Sequence, residues 1–297
     1  MRAADITRLI ALAILWGGSF LLYRIIAPAL GTIVATEARV GIAGIALLAW
    51  QALAGSPFEW RTHQRAMLTV GITNSALPFA CYGYAAHVLP AGYLAIINAT
   101  APLFGAIIAR LWLGEALEAR RVAGIALGVI GVVVLVGLGP VAVDAKVLLA
   151  CVACLIAATS YGFAGNYTRQ LKRPVPPASM ATGSQLAAAF VVLPLIPFEP
   201  LQAMPTMTIV IATLIIAIAC TSVAYLLYFR LIRDIGATRA LTVTFLVPLF
   251  AIAWGWLVLE EVPTPRMAIG ATLVLAATWL IVARSRLKAT ATLATKS

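Results

Sequence analysis

The chain is poor in the residues that most catalytic and metal sites need: two histidines and ten Asp+Glu in 297 residues. Its four cysteines, Cys81, Cys151, Cys154 and Cys220, each fall inside a long apolar run. Cys151 and Cys154 form a C-x-x-C, the spacing of zinc and redox pairs. No second Cys or His pair stands at a matching spacing, and the flanks (Leu148, Leu149, Ala150, Val152, Ala153) are purely apolar. They therefore read as small buried helix residues. No G-x-x-x-x-G-K-[ST] occurs, which excludes a fused ATP-driven machine. His63 and His87 fall in loops on opposite sides of the chain's expected topology, so no His/Asp/Glu set converges as a lipid-acting membrane enzyme would require. The chain is not read as an enzyme, and no cofactor or metal is expected.

Charge is scarce as a whole: 10% of residues, against 63% hydrophobic and a mean hydropathy of +1.02. Soluble domains carry about 25% charged residues. Apolar windows bounded by Pro, Gly or charge recur at 6–27, 32–53, 66–86, 90–110, 121–138, 145–166, 176–197, 208–229, 238–259 and 266–284. Each is near the length of about 20 residues that spans a bilayer, and the remainder is too short to hold a soluble domain. No window shows the alternation of a membrane β-strand. The first window follows Arg2 and Arg8 as a signal peptide would, yet runs past Trp16 to Ile26 without a cleavage site, so it reads as a retained helix. The expected fold is an all-α polytopic membrane protein with ten transmembrane helices.

The basic excess, a net +11, has an explanation in topology rather than in nucleic acid. With the N-terminus cytoplasmic, the cytoplasmic segments hold 17 Lys+Arg: Arg2, Arg8, Arg61, Arg65, Arg110, Arg120, Arg121, Arg169, Lys172, Arg173, Arg230, Arg233, Arg239, Arg284, Arg286, Lys288 and Lys296. The other side holds three, Arg24, Lys146 and Arg266, and Arg39 falls within helix 2. The positive-inside rule then places both termini in the cytoplasm.

The sequence also repeats. A shift of 146 residues lays Tyr82 on Tyr228, Ala91 on Ala237, Pro102-Leu103-Phe104 on Pro248-Leu249-Phe250, Leu113 on Leu259, Glu115 on Glu261, Arg120 on Arg266 and Gly124 on Gly270. A shift of 145 lays Gly17 on Gly162 and Arg24 on Arg169. The expected organisation is two five-helix halves, 1–140 and 144–284, with a cytoplasmic tail at 285–297. Five is odd, so the second half enters the membrane inverted. The charges agree: loop 2–3 carries Arg61 and Arg65 while its counterpart, 197–207, has no basic residue. Inverted repeats around a central midplane cavity are characteristic of secondary transporters.

Tyr84 to Val136, with Pro102, the Leu113-Gly114-Glu115 turn and a Gly-rich helix from Gly124, resembles the drug/metabolite transporter superfamily, in particular its ten-helix EamA-type branch. Arg230 to Val282, with Pro248 and Leu259-Glu260-Glu261, repeats the pattern, and Trp16-Gly17 with Ser19 and Phe20 matches the family's opening motif. Arg39 matches an arginine often found in helix 2, whereas Tyr161 departs from the pattern where helix 1 has Trp16. The resemblance implies a bacterial inner-membrane exporter of small metabolites; aromatic and neutral amino-acid exporters look similar. Drug or nucleobase export is the alternative within transport.

Polar side chains in a bilayer face protein or water-filled interior. Helical spacing gathers Trp16, Ser19 and Tyr23 on helix 1, Asn74 and Tyr82 on helix 3, Asn98 on helix 4, Tyr161 and Asn166 on helix 6, Tyr225 and Tyr228 on helix 8, and Thr244 on helix 9 as candidate substrate-binding residues. Helix–helix hydrogen bonds and interfacial belt positions for the tyrosines are the competing account. Pro78, Pro102 and Pro248 are candidate hinges. Glu37 is a candidate coupling carboxylate, although the reading preferred from position alone puts Glu37 and Arg39 in structural contacts near the external surface. No span carries clustered cations, so a net-neutral small molecule, first of all an amino acid, is the expected substrate. Gly124 and Gly128 form a G-x-x-x-G read as packing within the monomer, with dimerisation as the alternative. The expected partners are thus the lipid bilayer and the substrate, for a monomer or weak dimer.

Overall fold

The computed structural model describes residues 2–137, 144–199, 201–236, 240 and 242–282. The charges expected at Arg239, Arg284, Arg286, Lys288 and Lys296, and the tail at 285–297, lie outside the described residues. The described residues form ten helical rods: α1 (Ala3–Leu30), α2 (Thr32–Leu53), α3 (Trp60–Gly71, Ile72–Ala76 and Leu77–Ala85), α4 (Ala91–Asn98 and Ala101–Leu113), α5 (Ala119–Gly137), α6 (Ala145–Arg169), α7 (Pro177–Val192 and Leu193–Phe198), α8 (Met207–Leu214, Ile215–Val223 and Ala224–Ile235), α9 (Val243–Leu259) and α10 (Pro265–Val282). Eight of them are long and apolar enough to cross a membrane; of the other two, α3 is long enough but less apolar, with Arg61, His63, Gln64, Arg65 and Asn74 along it, and α9 is apolar but has 17 residues. The chain is an all-α polytopic membrane protein.

The apolar side chains that would be an anomaly in water follow from this. Val122, Val129, Ile130 and Val133 on α5, and Leu148, Leu149, Val152 and Ile156 on α6, are exposed on outward faces. Against lipid tails such surface costs nothing, so small residues must hold the helices together instead. Alongside α10 run Gly124, Gly128 and Gly131 of α5: a Cβ on Gly124 would stand 3.0 Å from the Ala277 carbonyl, one on Gly131 3.0 Å from the Val274 backbone N, and one on Gly128 2.0 Å from Leu103. The G-x-x-x-G is therefore consumed inside the monomer.

The principal pairings are α5 with α10, α1 with α9, α2 with α7, α4 and α3 with α6, α3 with α7, α2 with α8 and α1 with α8. This set is preserved when each helix n is exchanged with helix n ± 5. Two pairings cross at glycine: a Cβ on Gly17 would sit 2.7 Å from Phe250 Cβ in α9, and one on Gly162 2.6 Å from the Gly105 backbone N in α4.

Helix ends repeat as well. The N–H groups of Gly114 and Glu115 both turn back to the Ala109 carbonyl, and those of Glu260 and Glu261 to Gly255. Both turns need a left-handed residue, supplied by Gly114 at φ 69° and by Glu260 at φ 56°. A side chain is penalised there, whereas glycine is not. Glu260→Gly is accordingly expected to raise stability by up to about 1 kcal/mol, read as a higher Tm of the detergent-solubilised chain.

Candidate functional site

A cavity of about 610 Å³ opens on the face that carries the N-terminus of α1, here called the basic face. Its mouth is formed by Glu115, Arg121, Arg169, Ile281 and Val282. It lies between helices of both halves, and its inner wall includes Tyr23, Arg39, Phe79, Asn98 and Cys220. Among its lining residues are Trp16, Ser19, Tyr23, Asn74, Tyr82, Asn98, Tyr161, Asn166, Tyr225, Tyr228 and Thr244, and Pro102. Pro78, Pro248 and Glu37 do not line it.

Irregular helix geometry presents several of these groups. Asn74 stands in the π-helical turn Ile72–Ala76, directly before Pro78, whose missing N–H frees a carbonyl one turn back. Ser160 of α6 donates to the Thr73 carbonyl at 2.6 Å. A second π-helical stretch, Ile215–Val223 in α8, forms at the corresponding place with Ala224 where α3 has Pro78. There Thr221 and Ser222 donate to the carbonyls five residues back, Ile216 at 2.8 Å and Ala217 at 3.2 Å. Such turns widen the helix and re-aim side chains, and they concentrate at functional sites. Asn98 ends the first segment of α4, and Pro102 opens the second across the break at Ala99-Thr100. Pro248, by contrast, lies inside an unbroken α9.

The polar groups are held by one another. Tyr82 donates from its hydroxyl to Asn98 Oδ1 at 2.8 Å, and Asn74 Nδ2 donates to the Tyr225 hydroxyl at 2.9 Å. Asn166 Nδ2 donates to the carbonyls of Gly105 and Gly162, each at 2.9 Å, tying α6 to α4. Ser19 donates to the Trp16 carbonyl at 2.7 Å. Aromatic rings form the rest of the wall. Trp16 and Tyr228 lie 5.2 Å apart, Phe20 meets Tyr82 edge-on at 5.3 Å, and Tyr82 stacks with Tyr161 at 6.4 Å. Tyr23 and Tyr228, near the ends of their apolar windows, both face the cavity, and Tyr23 is fully buried.

Arg39, expected in structural contacts, makes them at the cavity wall. It is 5% exposed and lines the cavity. Its Nε donates to Thr221 Oγ1 at 3.0 Å, and its guanidinium lies 3.7 Å from the Phe79 ring centre and 5.1 Å from that of Tyr23. Glu37, two residues earlier, sits on a different face of α2, half-buried beside Gly41 and Ala189 of α7. Its Oε2 is buried without a hydrogen-bond partner among the described residues. Phe20, Phe79, Gly105 and Gly162 also line the cavity. The repeat had singled out Gly162 as the mate of Gly17; nothing in the sequence singled out Phe79.

The face opposite the mouth is closed. Arg24 pairs through Nε with Glu261 Oε1 at 3.0 Å and donates from Nη1 to the Ala86 carbonyl at 2.6 Å, while Glu261 Oε2 accepts the Ala91 N–H at 2.9 Å. Beside it Glu199 accepts the N–H groups of Thr32 and Ile33 at 3.1 and 2.6 Å. Desolvation lowers the His87 pKa below the usual imidazole value, Glu199 opposing and Arg24 assisting. The repeat mates of Arg24 and Glu261, Arg169 and Glu115, also pair, but at the cavity mouth, with Arg121 3.6 Å from the same carboxylate. No group of three or more His, Cys, Asp or Glu is placed to hold a metal among the described residues.

Comparison with known proteins agrees with this architecture. The profile of the EamA-like transporter family matches residues 6–137 and again residues 148–283. The chain is 27% identical over 253 residues to the "Uncharacterized inner membrane transporter YedA" of Escherichia coli (strain K12), covering 83% of this chain and 80% of that one. It is 26% identical over 249 residues to "Protein PecM" of Dickeya dadantii (strain 3937), covering 83% and 81%. One crystal structure aligns with a TM-score of 0.65 over 94% of this chain and 96% of its own, at 17% identity, a likeness of fold. The chain belongs to the EamA-like transporter family.

Proposed function

We propose that the protein exports small metabolites, amino acids first among them and aromatic or hydrophobic ones in particular, across the bacterial inner membrane without ATP. In this reading the halves 1–140 and 144–284 are inverted repeats that rock about the cavity, with both termini cytoplasmic, so the structure corresponds to a state open to the cytoplasm. One observation carries it. A cavity of about 610 Å³ lined from both halves opens at the basic face, Arg24 pairs with Glu261 at the opposite face, and their repeat mates Arg169 and Glu115 flank the mouth. The exchange of n with n ± 5 in the helix pairings supports the inversion, because a pseudo-two-fold axis in the membrane plane relates such halves. The residues proposed to meet the solute are Trp16, Ser19, Tyr23, Asn74, Tyr82, Asn98, Tyr161, Asn166, Tyr225, Tyr228 and Thr244. Pro102, at the break in α4, is the proposed hinge that also faces the cavity.

Export driven by the solute's own gradient fits the placement of Glu37 in the α2–α7 seam, outside the cavity. The test is efflux from proteoliposomes loaded with radiolabelled amino acids, nucleobases or cationic drugs, with and without a pH gradient. Amino acids are expected to leave fastest, and Trp16→Ala or Asn98→Ala to slow them about tenfold, the scale of one lost solute contact in a buried site. Glu37→Gln is expected to leave rates and their indifference to the gradient unchanged. No movement of any solute contradicts the transport reading, and gradient-dependent efflux that Glu37→Gln abolishes reinstates proton coupling.

A further inference from the structure

Arg39 is a cation inside a membrane-spanning helix, nearly inaccessible and facing the cavity. Such groups are costly in a bilayer and normally pair with an anion or with backbone carbonyls. No ion pair within 4.0 Å joins it to a carboxylate among the described residues, and its Nε donates to Thr221 Oγ1 at 3.0 Å. Glu37 is turned toward Gly41 and α7, and of the acids at the two faces Glu261 is paired with Arg24, Glu115 with Arg169 and Arg121, and Asp234 with Arg8 and Arg230. The Phe79 and Tyr23 rings orient the guanidinium and offset part of the lost hydration. What they leave unanswered is its charge and the two-pronged donor edge that matches a carboxylate.

We propose that Arg39 is the anion anchor of the cavity and that the solute is a small monocarboxylate with an apolar or aromatic body. This rests on the reading of the cavity as the solute site. The carboxylate docks on Arg39 at the inner wall, and the body extends toward the mouth between the Trp16–Tyr228 and Tyr82–Tyr161 ring pairs. An α-ammonium is accepted but not selected for, since the one acid among the lining residues is Glu115, at the mouth and already paired. Amino acids are then one subset of the substrates, and cations without a carboxylate are excluded. A polyanion is not matched at the inner wall, where Arg39 is the one cation; Arg121 and Arg169 stand at the mouth and share Glu115.

The test is calorimetric titration of the purified full-length chain with four probes: 3-phenylpropionate, phenylalanine, phenylalaninamide and phenethylamine. The two carboxylates are expected to bind at least about tenfold tighter than the two amines, the scale of a charge-assisted hydrogen-bonded pair. Arg39→Gln is expected to bring all four within about twofold, and Arg39→Lys, which keeps the charge but not the fork, to retain a reduced preference. Equal affinities in the unaltered chain, no binding of either carboxylate, or a preference that survives Arg39→Gln would each overturn the proposal. The unaltered chain decides the matter even where Arg39→Gln fails to fold. A chain that binds carboxylates by this rule yet moves no solute in proteoliposomes contradicts the transport reading and sustains this one. Transport without carboxylate preference does the reverse.

Discussion

Replacing Gly162 with leucine is expected to abolish the folded protein, and even alanine there is expected to be costly. The α6–α4 crossing brings the Gly105 backbone N within 2.6 Å of where a Cβ would stand, and the Phe104 carbonyl carbon within 3.0 Å. Both obstacles are main chain, so no rotamer change relieves them. The helices must separate, which breaks the bonds from Asn166 to the Gly105 and Gly162 carbonyls and opens the cavity wall. Overpacking of a fitted interior costs about 1–3 kcal/mol where side chains yield, and more where backbone must move. Gly162→Ala is therefore expected at or above the upper end of that range, and Gly162→Leu beyond what a marginally stable protein survives. Gly17→Leu is expected to match it, because its Cβ would meet Ala251 N at 2.9 Å in the equivalent α1–α9 crossing. Gly165→Leu, three residues along α6 with nothing within 4 Å of a Cβ, is the control and should fold normally. Size-exclusion profiles and thermal melts of the detergent-solubilised variants give the ranking.

The second large effect is expected at the sealed face. Glu261→Gln keeps the size of the side chain and removes its charge, leaving Arg24 without its carboxylate partner and Ala91 N–H with a weaker acceptor. Hydrogen bonds to charged groups contribute about 1.5–3 kcal/mol, enough to move a balance between two states by about ten- to a hundred-fold. Amide hydrogen exchange across residues 86–91 should quicken by that factor. The repeat-mate substitution, Glu115→Gln, should do far less. Its partner Arg169 is 56% exposed, against 26% for Arg24, and solvent-exposed pairs contribute about 0–1 kcal/mol. Equal effects at the two glutamates would show that the pairs do not report which face is closed.

Much of the helix layout follows from composition, because a bilayer permits few alternatives. Polar side chains within apolar runs have to turn inward, which is why spacing alone gathered residues as far apart as Ser19, Asn98 and Tyr225 that the fold brings around one cavity. The helices exceed their apolar windows, α3 beginning at Trp60 rather than 66 and α8 ending at Ile235 rather than 229. Arg61, Arg65, Arg230 and Arg233 explain the difference: long basic side chains reach water from the last turns without ending the helix. The π-helical turns were legible only by half. Pro78 marks one, while its counterpart in α8 has alanine and is set by Thr221 and Ser222 bonding five residues back. That Arg39 faces the cavity was not legible, because distance along a window measures depth in the membrane but not the direction a side chain faces. That direction depends on α2 packing against both α7 and α8, a pairing far apart in sequence.

Alternation of one cavity between two faces is best tested by its accessibility. In a chain with the four native cysteines replaced, a cysteine at Asn98, half-buried on the cavity wall, reports access. A membrane-impermeant thiol reagent is expected to react with it faster from the basic face than from the opposite one, and Glu261→Gln to raise the rate from the opposite face. Equal rates from the two faces in the first chain, or a rate from the opposite face that Glu261→Gln leaves unchanged, would contradict a cavity gated by Arg24 and Glu261.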